Sequence, residues 1–398
     1  MKIENILIPF ITIGIFLNLF FYLPVAKIIN IPEYLIYFSL FFIMIMIYML
    51  KRKKIEISNE LLIWSIFYLF VNFSYIIFTG IGSREFKYLI PVITLVPVLI
   101  GLYLLYNLDN NQLIKTRKSI VIALIIAVPI LVYDFLFPGD FVTTKILDNR
   151  AVAMYGNANI VGVVLILGLI LTIDIIPEKY KSLFLFYIFI GVLVTFSRSN
   201  IMLYILILTI MSFQNKISKK LFLILVFIVI SFMIFLVFDG NALLQEYLHV
   251  SLNENNINRL LFFIDNTNSD LQNISERQRV LQAALGMFAD SPIVGNGFAS
   301  TRLWEYPVGP HNTIALTLAD FGLFGLLIVP LFLFATSYKV LRNGIKEHKQ
   351  LAILFIVYYL YSCMFSHNML DQKFNYVGAI IITILARKNN SKSMYHEN

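Results

Sequence analysis

Apolar runs of about 18 or more residues recur along nearly the whole chain, and a run of that length can cross a bilayer as a helix. About twelve can be marked: 5–25, 33–50, 60–79, 88–107, 119–137, 158–176, 182–197, 200–214, 221–238, 311–337, 351–366 and 374–387. The runs 182–197 and 200–214 are read as two helices, because about 33 residues rising 1.5 Å each overshoot a ~30 Å hydrocarbon core. Of the 398 residues, 59% are hydrophobic and 14% charged, and mean hydropathy is +0.81. Soluble domains are about half apolar and a quarter charged. The expected fold class is an all-α integral membrane protein of about twelve transmembrane helices, with one large outer (periplasmic or extracellular) helical loop between the ninth and tenth spans.

The basic residues orient this layout. With the N-terminus inside, twenty of the 31 Lys and Arg residues fall in inner segments, seven in short outer segments and four in the long loop. That is the positive-inside bias, and it favours an even helix count with both termini cytoplasmic. The net charge of +8 is therefore an orientation signal, and no nucleic-acid partner is expected. The first helix lacks a basic n-region and a small-residue cleavage site, so it reads as retained. The expected organisation is 1–238 for nine helices, 239–310 for the loop, 311–387 for three further helices and 388–398 for a cytoplasmic tail. The single cysteine, Cys363, lies in an apolar run and reads as inert.

The long polar segment from Asp239 to Pro310 stands out against this apolar background. Asn241–His249 and Ile257–Ile264 read as short amphipathic helices. Ser275 followed by Gln278 is a capping-box pattern, and Leu281, Ala284, Leu285 and Phe288 form one apolar face at helical spacing. On that reading Arg277 sits in the first helical turn beside exposed amides, where an anion could bind; the plainer alternative is a solvated arginine paired with an acid. Then come Ser291-Pro292-Ile293-Val294-Gly295-Asn296-Gly297 and, where the chain re-enters apolar sequence, His311-Asn312.

The ionisable residues collect at the outer edge, and the middles of the helices are nearly free of them. A coupled transporter usually carries charges near the midplane instead. Arg198 sits between two apolar helices, where its planar fork suits phosphate or, as the plainer reading, snorkels to anchor a helix end. Arg150 precedes Tyr155, Asn157 and Asn159 at the entry of the sixth span. These asparagines suit sugar hydroxyls, although helix capping is the plainer reading of Asn157. His311 is the side chain best poised for proton transfer near neutral pH, with Asn312 beside it. His367 at the next outer turn is the rival base. Trp304, Tyr306 and Tyr155 are sugar-stacking candidates, and aromatics are also ordinary at a membrane interface. Asp320 reads as a structural polar residue inside the bundle. No metal-ligand spacing, P-loop, dinucleotide fingerprint or nucleophile elbow is present, and no cofactor is expected.

With these residues in view, the chain resembles the O-antigen ligase and O-antigen polymerase family (the WaaL and Wzy type). The resemblance rests on Ser197-Arg198 at a helix end, then Arg277, Ala283-Ala284-Leu285, the Ser291–Gly297 turn, His311-Asn312, Asp320-Phe321-Gly322 and Gly325. Its densest part covers about 197–335. Leu281 stands where tryptophan is common in the family, and Asp320 where glutamate is common.

The resemblance implies a membrane glycosyltransferase of the GT-C type in the bacterial cytoplasmic (inner) membrane, with its active site on the outer face. The implied donor is an oligosaccharide on undecaprenyl diphosphate. Arg198 and Arg277 would hold the diphosphate, and His311 would deprotonate the acceptor hydroxyl for inverting attack. No metal is implied, since arginine supplies the leaving-group stabilisation. Implied partners are membrane lipid, a chain-length regulator and a flippase. The expected function is O-antigen or capsular polysaccharide polymerase, with transfer to the non-reducing end of another lipid-linked repeat unit. The alternatives are an O-antigen ligase acting on lipid A-core and a lipid-linked oligosaccharide flippase.

Overall fold

The computed structural model describes residues 4–50, 56, 58–79, 89, 92, 93, 95, 96, 99, 105–138, 140, 141, 150–235, 271–306, 308–366 and 368–393. Among the described residues every regular element is helical. In chain order they are α1 (Glu4–Phe16), α2 (Leu19–Val25), α3 (Glu33–Leu50), α4 (Asn59–Thr79), α5 (Asn110–Leu136), α6 (Ala158–Thr172), α7 (Glu178–Leu193), α8 (Arg198–Phe213), α9 (Lys219–Phe235), α10 (Leu271–Asp290), α11 (Ser300–Leu303), α12 (Thr313–Asn343), α13 (Lys346–Phe365) and α14 (Lys373–Ser393). Short 3-10 turns lie at Ala153–Tyr155 and Met369–Asp371.

Among the described residues three helices are long and apolar enough to cross a membrane: Asn59–Ile77, Asn110–Leu136 and Thr313–Asn343. The run expected as one span at 5–25 is bent by 65°. Asn18 takes a left-handed conformation there, with φ 54°, and interrupts the helix. Counting that bent pair as one span gives four, and α6, α8 and parts of α3 and α14 are apolar but shorter. The runs 182–197 and 200–214 are two helices, separated by a turn in which Phe196 has φ 48°. Most of the expected span 88–107, and both short helices expected within 241–264, lie outside the described residues.

The chain divides into two compact units. The first comprises Met1–Ile8, Pro32–Leu113 and Asn273–Asn398. Its centre is α12, which packs on α4, α13 and α14. Trp64 of α4 is 1% exposed and donates its indole N–H to the Ile328 carbonyl at 3.0 Å. Its ring lies 4.8 Å from Phe332 and 5.9 Å from Tyr376. An indole buried among apolar rings needs a partner for its one donor, and a helix carbonyl provides it.

The second unit comprises Pro9–Ile31 and Ile114–Gln272. Here α6 is buried nearly all round and packs on α7 and α8. Small residues allow the close approach. A Cβ on Gly162 would fall 2.2 Å from the Asn200 amide of α8, and one on Gly168 would fall 2.8 Å from Leu124 of α5.

Candidate functional site

In the second unit, two helix N-termini lie side by side. Asn157 caps α6, its side-chain oxygen accepting the Asn159 N–H at 2.8 Å. Asn200, in the first turn of α8, donates its amide to the Asn159 carbonyl at 2.9 Å. Ser197 donates its hydroxyl to the Asn159 side-chain oxygen at 2.8 Å, and the Arg150 guanidinium reaches the same oxygen at 3.3 Å. Arg150 also donates Nε–H to the Thr195 carbonyl at 2.8 Å. The structure thus brings Arg150, Asn157 and Asn159 together at the turn that carries Arg198. Arg150, Asn159 and Arg198 are partly exposed, and Asn157 is exposed. N-terminal helix amides and arginine side chains are groups of the kind that can hold an anion, and both occur at this turn.

Asp134 underlies this arrangement, and sequence reasoning passed it by. It lies near the end of α5, wholly buried. Its Oδ2 accepts the backbone N–H groups of Val152 at 2.8 Å and Ala153 at 2.7 Å. Ala153 has φ 42°, a strained conformation for a residue other than glycine. Tyr155 is buried and donates its hydroxyl to the Phe16 carbonyl at 2.7 Å. Its ring is therefore in the interior, where burial raises the phenol above its ordinary range. The only sequence signal for Asp134 was a lone acid at the end of an apolar run.

In the first unit, the turn Pro292–Gly297 is spliced into α12. That helix breaks at Gly322, with φ 59° and ψ −139°. An unbroken helix would pair Leu323 N–H with the Ala319 carbonyl. Instead Leu323 N–H donates to the Pro292 carbonyl at 2.9 Å, while Asn296 N–H donates to Ala319 at 3.0 Å and Gly297 N–H to Asp320 at 3.0 Å. Tyr75 of α4 donates to the carbonyls of Val294 and Phe321. Groups freed by the break are thereby paired, as an apolar environment requires. The contact is backbone against backbone: a Cβ on Gly295 would lie 2.5 Å from the Asp320 oxygen, and one on Gly322 would lie 2.5 Å from the Ile293 oxygen. Beside this turn an apolar groove of about 470 Å³ is lined by Phe70, Val71, Tyr75, Val294, Asn296 and Phe324, among others.

Asp320, just before the break, is buried. It accepts the Ser300 hydroxyl at 2.8 Å and the Thr301 N–H at 2.9 Å, and so fixes α11. This is more than filling the bundle. Arg302 of α11 pairs with Asp371 at 2.9 Å. Burial alone would lower the Arg302 guanidinium, but the charges of Asp371 and Asp320 reverse this and hold it above the ordinary arginine value. Tyr68, Asn72, Arg302, Asp320 and Asp371 are among the residues lining a cavity of about 30 Å³, room for one or two waters.

His311 is partly exposed with φ 50°. Asn312 is the N-cap of α12, its side chain accepting the Ala315 N–H at 2.9 Å. Thr313 then donates its hydroxyl to the Ser366 carbonyl at 2.5 Å. Trp304 is half-buried, packs on Ala284, Ala315 and Ala319, and donates to the Val308 carbonyl at 3.1 Å. Its ring meets Tyr306 edge-on at 5.1 Å.

The helix expected to start near Ser275 starts at Leu271. Arg277 is therefore exposed in the second turn, not beside the terminal amides. The capping-box pattern misled because the residues before it also continue the helix. His367 lies outside the described residues. Among the described residues no three His, Cys, Asp or Glu side chains gather as metal ligands.

No curated protein matches the chain. The family model described as O-antigen ligase matches residues 183–329, the stretch that runs from α7 through Arg198, Arg277, His311 and the break at Gly322. Over residues 183–329, then, this chain is similar to the O-antigen ligase and polymerase family.

Proposed function

We propose that this protein is a bacterial inner-membrane glycosyltransferase that polymerises lipid-linked oligosaccharide repeat units into O-antigen or capsular polysaccharide. The supporting observation is His311. A histidine occupies a strained, partly exposed position at the capped entry of α12, within the segment that matches the O-antigen ligase family. Strain of this kind costs about 1–3 kcal/mol and collects at functional sites.

The reaction follows from the roles taken residue by residue from the family resemblance. His311 takes the proton of the acceptor hydroxyl. The acceptor oxygen attacks the anomeric carbon of the donor sugar, and the bond from that carbon to the diphosphate oxygen breaks with inversion. The electron pair leaves on undecaprenyl diphosphate, whose negative charge Arg198 and Arg277 hold. Arg150, Asn157, Asn159 and Asn312 are the further candidates for substrate contact, with Trp304 for the sugar face. Tyr155 is better suited to holding its own turn, since its hydroxyl is engaged by Phe16. The apolar groove beside Phe70 and Phe324 is of a kind that a polyprenyl chain fits. The proposed topology remains about twelve spans with both termini cytoplasmic.

A defined-acceptor assay tests this reading. Purified protein given one lipid-linked repeat unit should build a ladder of multimers. Transfer to added lipid A-core with no ladder would make the protein a ligase. Lipid movement across vesicles without any transfer would make it a flippase.

A further inference from the structure

We infer that Arg302 and Asp371 are a positioning pair for His311, part of a closed ring of contacts that holds the histidine in its strained backbone conformation. The inference rests on the reading of His311 as the base.

The ring can be followed residue by residue. Asp320 of α12 holds Ser300 and Thr301 at 2.8 and 2.9 Å, so α11 is tied to α12 from below. Arg302 of α11 reaches Asp371 at 2.9 Å. Asp371 ends the 3-10 turn Met369–Asp371, and its N–H donates to the Asn368 carbonyl at 3.1 Å. The Asn368 side-chain oxygen accepts the Ser366 hydroxyl at 2.7 Å, and the Ser366 carbonyl accepts the Thr313 hydroxyl at 2.5 Å. Thr313 lies two residues beyond His311. Trp304 packs on Ala315 and Ala319 and donates to Val308, which pins the stretch leading to the histidine.

The energetics also point to placement over stability. The side chains of Arg302 and Asp371 keep 22% and 21% of their exposure. For a pair so largely withdrawn from water, desolvation offsets part of the Coulomb attraction, so the ion pair by itself is weak evidence of a stabilising role. Its geometric effect is not small. A non-glycine residue at positive φ persists only where its surroundings over-determine it. The bonds through Arg302, Asp371 and Thr313 are such surroundings. Opening the ring lets His311 relax toward an ordinary conformation, which moves its imidazole away from where a base must stand.

The test uses the full chain in lipid nanodiscs, with variants D371N, R302Q, R302K and the swap R302D/D371R. K339Q is the control, because it removes the Lys339–Glu60 ion pair of 2.8 Å elsewhere in the same unit. Two readouts are taken. One is the rate at which diethyl pyrocarbonate modifies His311, followed by peptide mass. The other is kcat and KM for a lipid-linked saccharide. D371N and R302Q should lower kcat about tenfold or more with KM changed less than about twofold, because small misplacements of a base are costly in rate. The His311 modification rate should shift about threefold or more in the same variants, as relaxation changes its access. R302K keeps the charge and should fall between, and the swap should recover part of both readouts. K339Q should move neither. Unchanged kcat and unchanged His311 reactivity in folded D371N and R302Q would overturn the inference. If a single variant fails to fold, R302K and the swap decide by the same criteria. Should the wild type transfer no saccharide, the functional reading fails, while the modification rate still decides whether the pair positions His311.

Discussion

Asn296 reaches the Ala319 carbonyl twice, through its backbone N–H at 3.0 Å and its side-chain amide at 2.9 Å. That oxygen belongs to the helical turn broken at Gly322, so one loop residue replaces the partner that helix continuation would have supplied. The same side chain also donates to the Met287 carbonyl at 2.7 Å. Asn296 thus ties the end of α10 to the first part of α12, just before its break.

Removing that amide should loosen the tie without breaking the fold. Asn296→Ala leaves the Met287 oxygen without its side-chain donor, and should cost about 1–3 kcal/mol. Thermal unfolding in detergent reads this directly. Asn296→Asp should be at least as costly, because it offers an acceptor where two carbonyls need donors. An unshifted melting temperature in both variants would show that the splice does not depend on this side chain.

Gly322 should tolerate no side chain. A Cβ there would lie 2.5 Å from the Ile293 backbone oxygen, at φ 59°. Neither backbone can yield without separating the turn from α12. Gly322→Ala should therefore cost about 3 kcal/mol or more and lower the yield of folded protein. Gly286 provides the contrast, since beyond its own stretch of helix no atom lies within 4 Å of its Cβ position on α10. Gly286→Ala should stabilise by about 0.5–1 kcal/mol through helix propensity. Comparing the two melting curves separates steric exclusion from a general intolerance of mutation.

Helical character was legible because length and periodicity are local properties of the sequence, but the face expected at Leu281, Ala284, Leu285 and Phe288 leaves Leu285 45% exposed. Asn157 was readable as a cap for the same reason, whereas Asn312 was read only beside His311. The polar run Ser197–Asn200 marked the break between α7 and α8, although the last three of its residues open α8. The splice at Gly322 was not legible. Its cause is a set of backbone bonds between residues more than twenty positions apart, and no local pattern encodes which carbonyl a turn will meet. Asp134 and the Arg302–Asp371 pair were missed likewise, because a single acid signals nothing until the fold brings it a partner. The start of α10 was misplaced because Ser275 and Gln278 satisfy a capping pattern inside a longer helix.

Asp134 should prove a structural requirement of the Arg150 turn. It is a buried acceptor of two backbone N–H groups, and loss of the oxygen strands both. Asp134→Ala should cost about 2–5 kcal/mol, whereas Asp134→Asn keeps an acceptor and should cost about half as much. Unfolding by denaturant or heat measures the difference. Equal effects of the two substitutions would mean that negative charge, not the amide contacts, matters at this site.

Arg198→Lys should reduce transfer about tenfold or more while the protein keeps its melting temperature. Lysine supplies a point charge but not the planar fork that grips two phosphate oxygens. The loss should appear with the natural diphosphate donor at saturating concentration. Undiminished transfer by Arg198→Lys would identify the residue as a helix-end anchor whose aliphatic stem is what counts.

His311→Gly separates chemistry from stability. Glycine adopts φ 50° without strain, and relief of that strain offsets the extra freedom glycine gains in the unfolded chain. The variant should stay within about 1 kcal/mol of the wild type, and a small gain is the expected direction because functional sites carry strain at the expense of stability. Transfer, by contrast, should fall to background, since no imidazole remains to accept the acceptor's proton. The informative result is the pair of measurements on one protein, the melting temperature and the repeat-unit assay. A folded glycine variant that still builds polymer would remove His311 from the chemistry and move the base to His367. A glycine variant that is inactive because it unfolds would show that the histidine side chain holds the entry of α12 through its own contacts, and that its left-handed backbone is a consequence of those contacts.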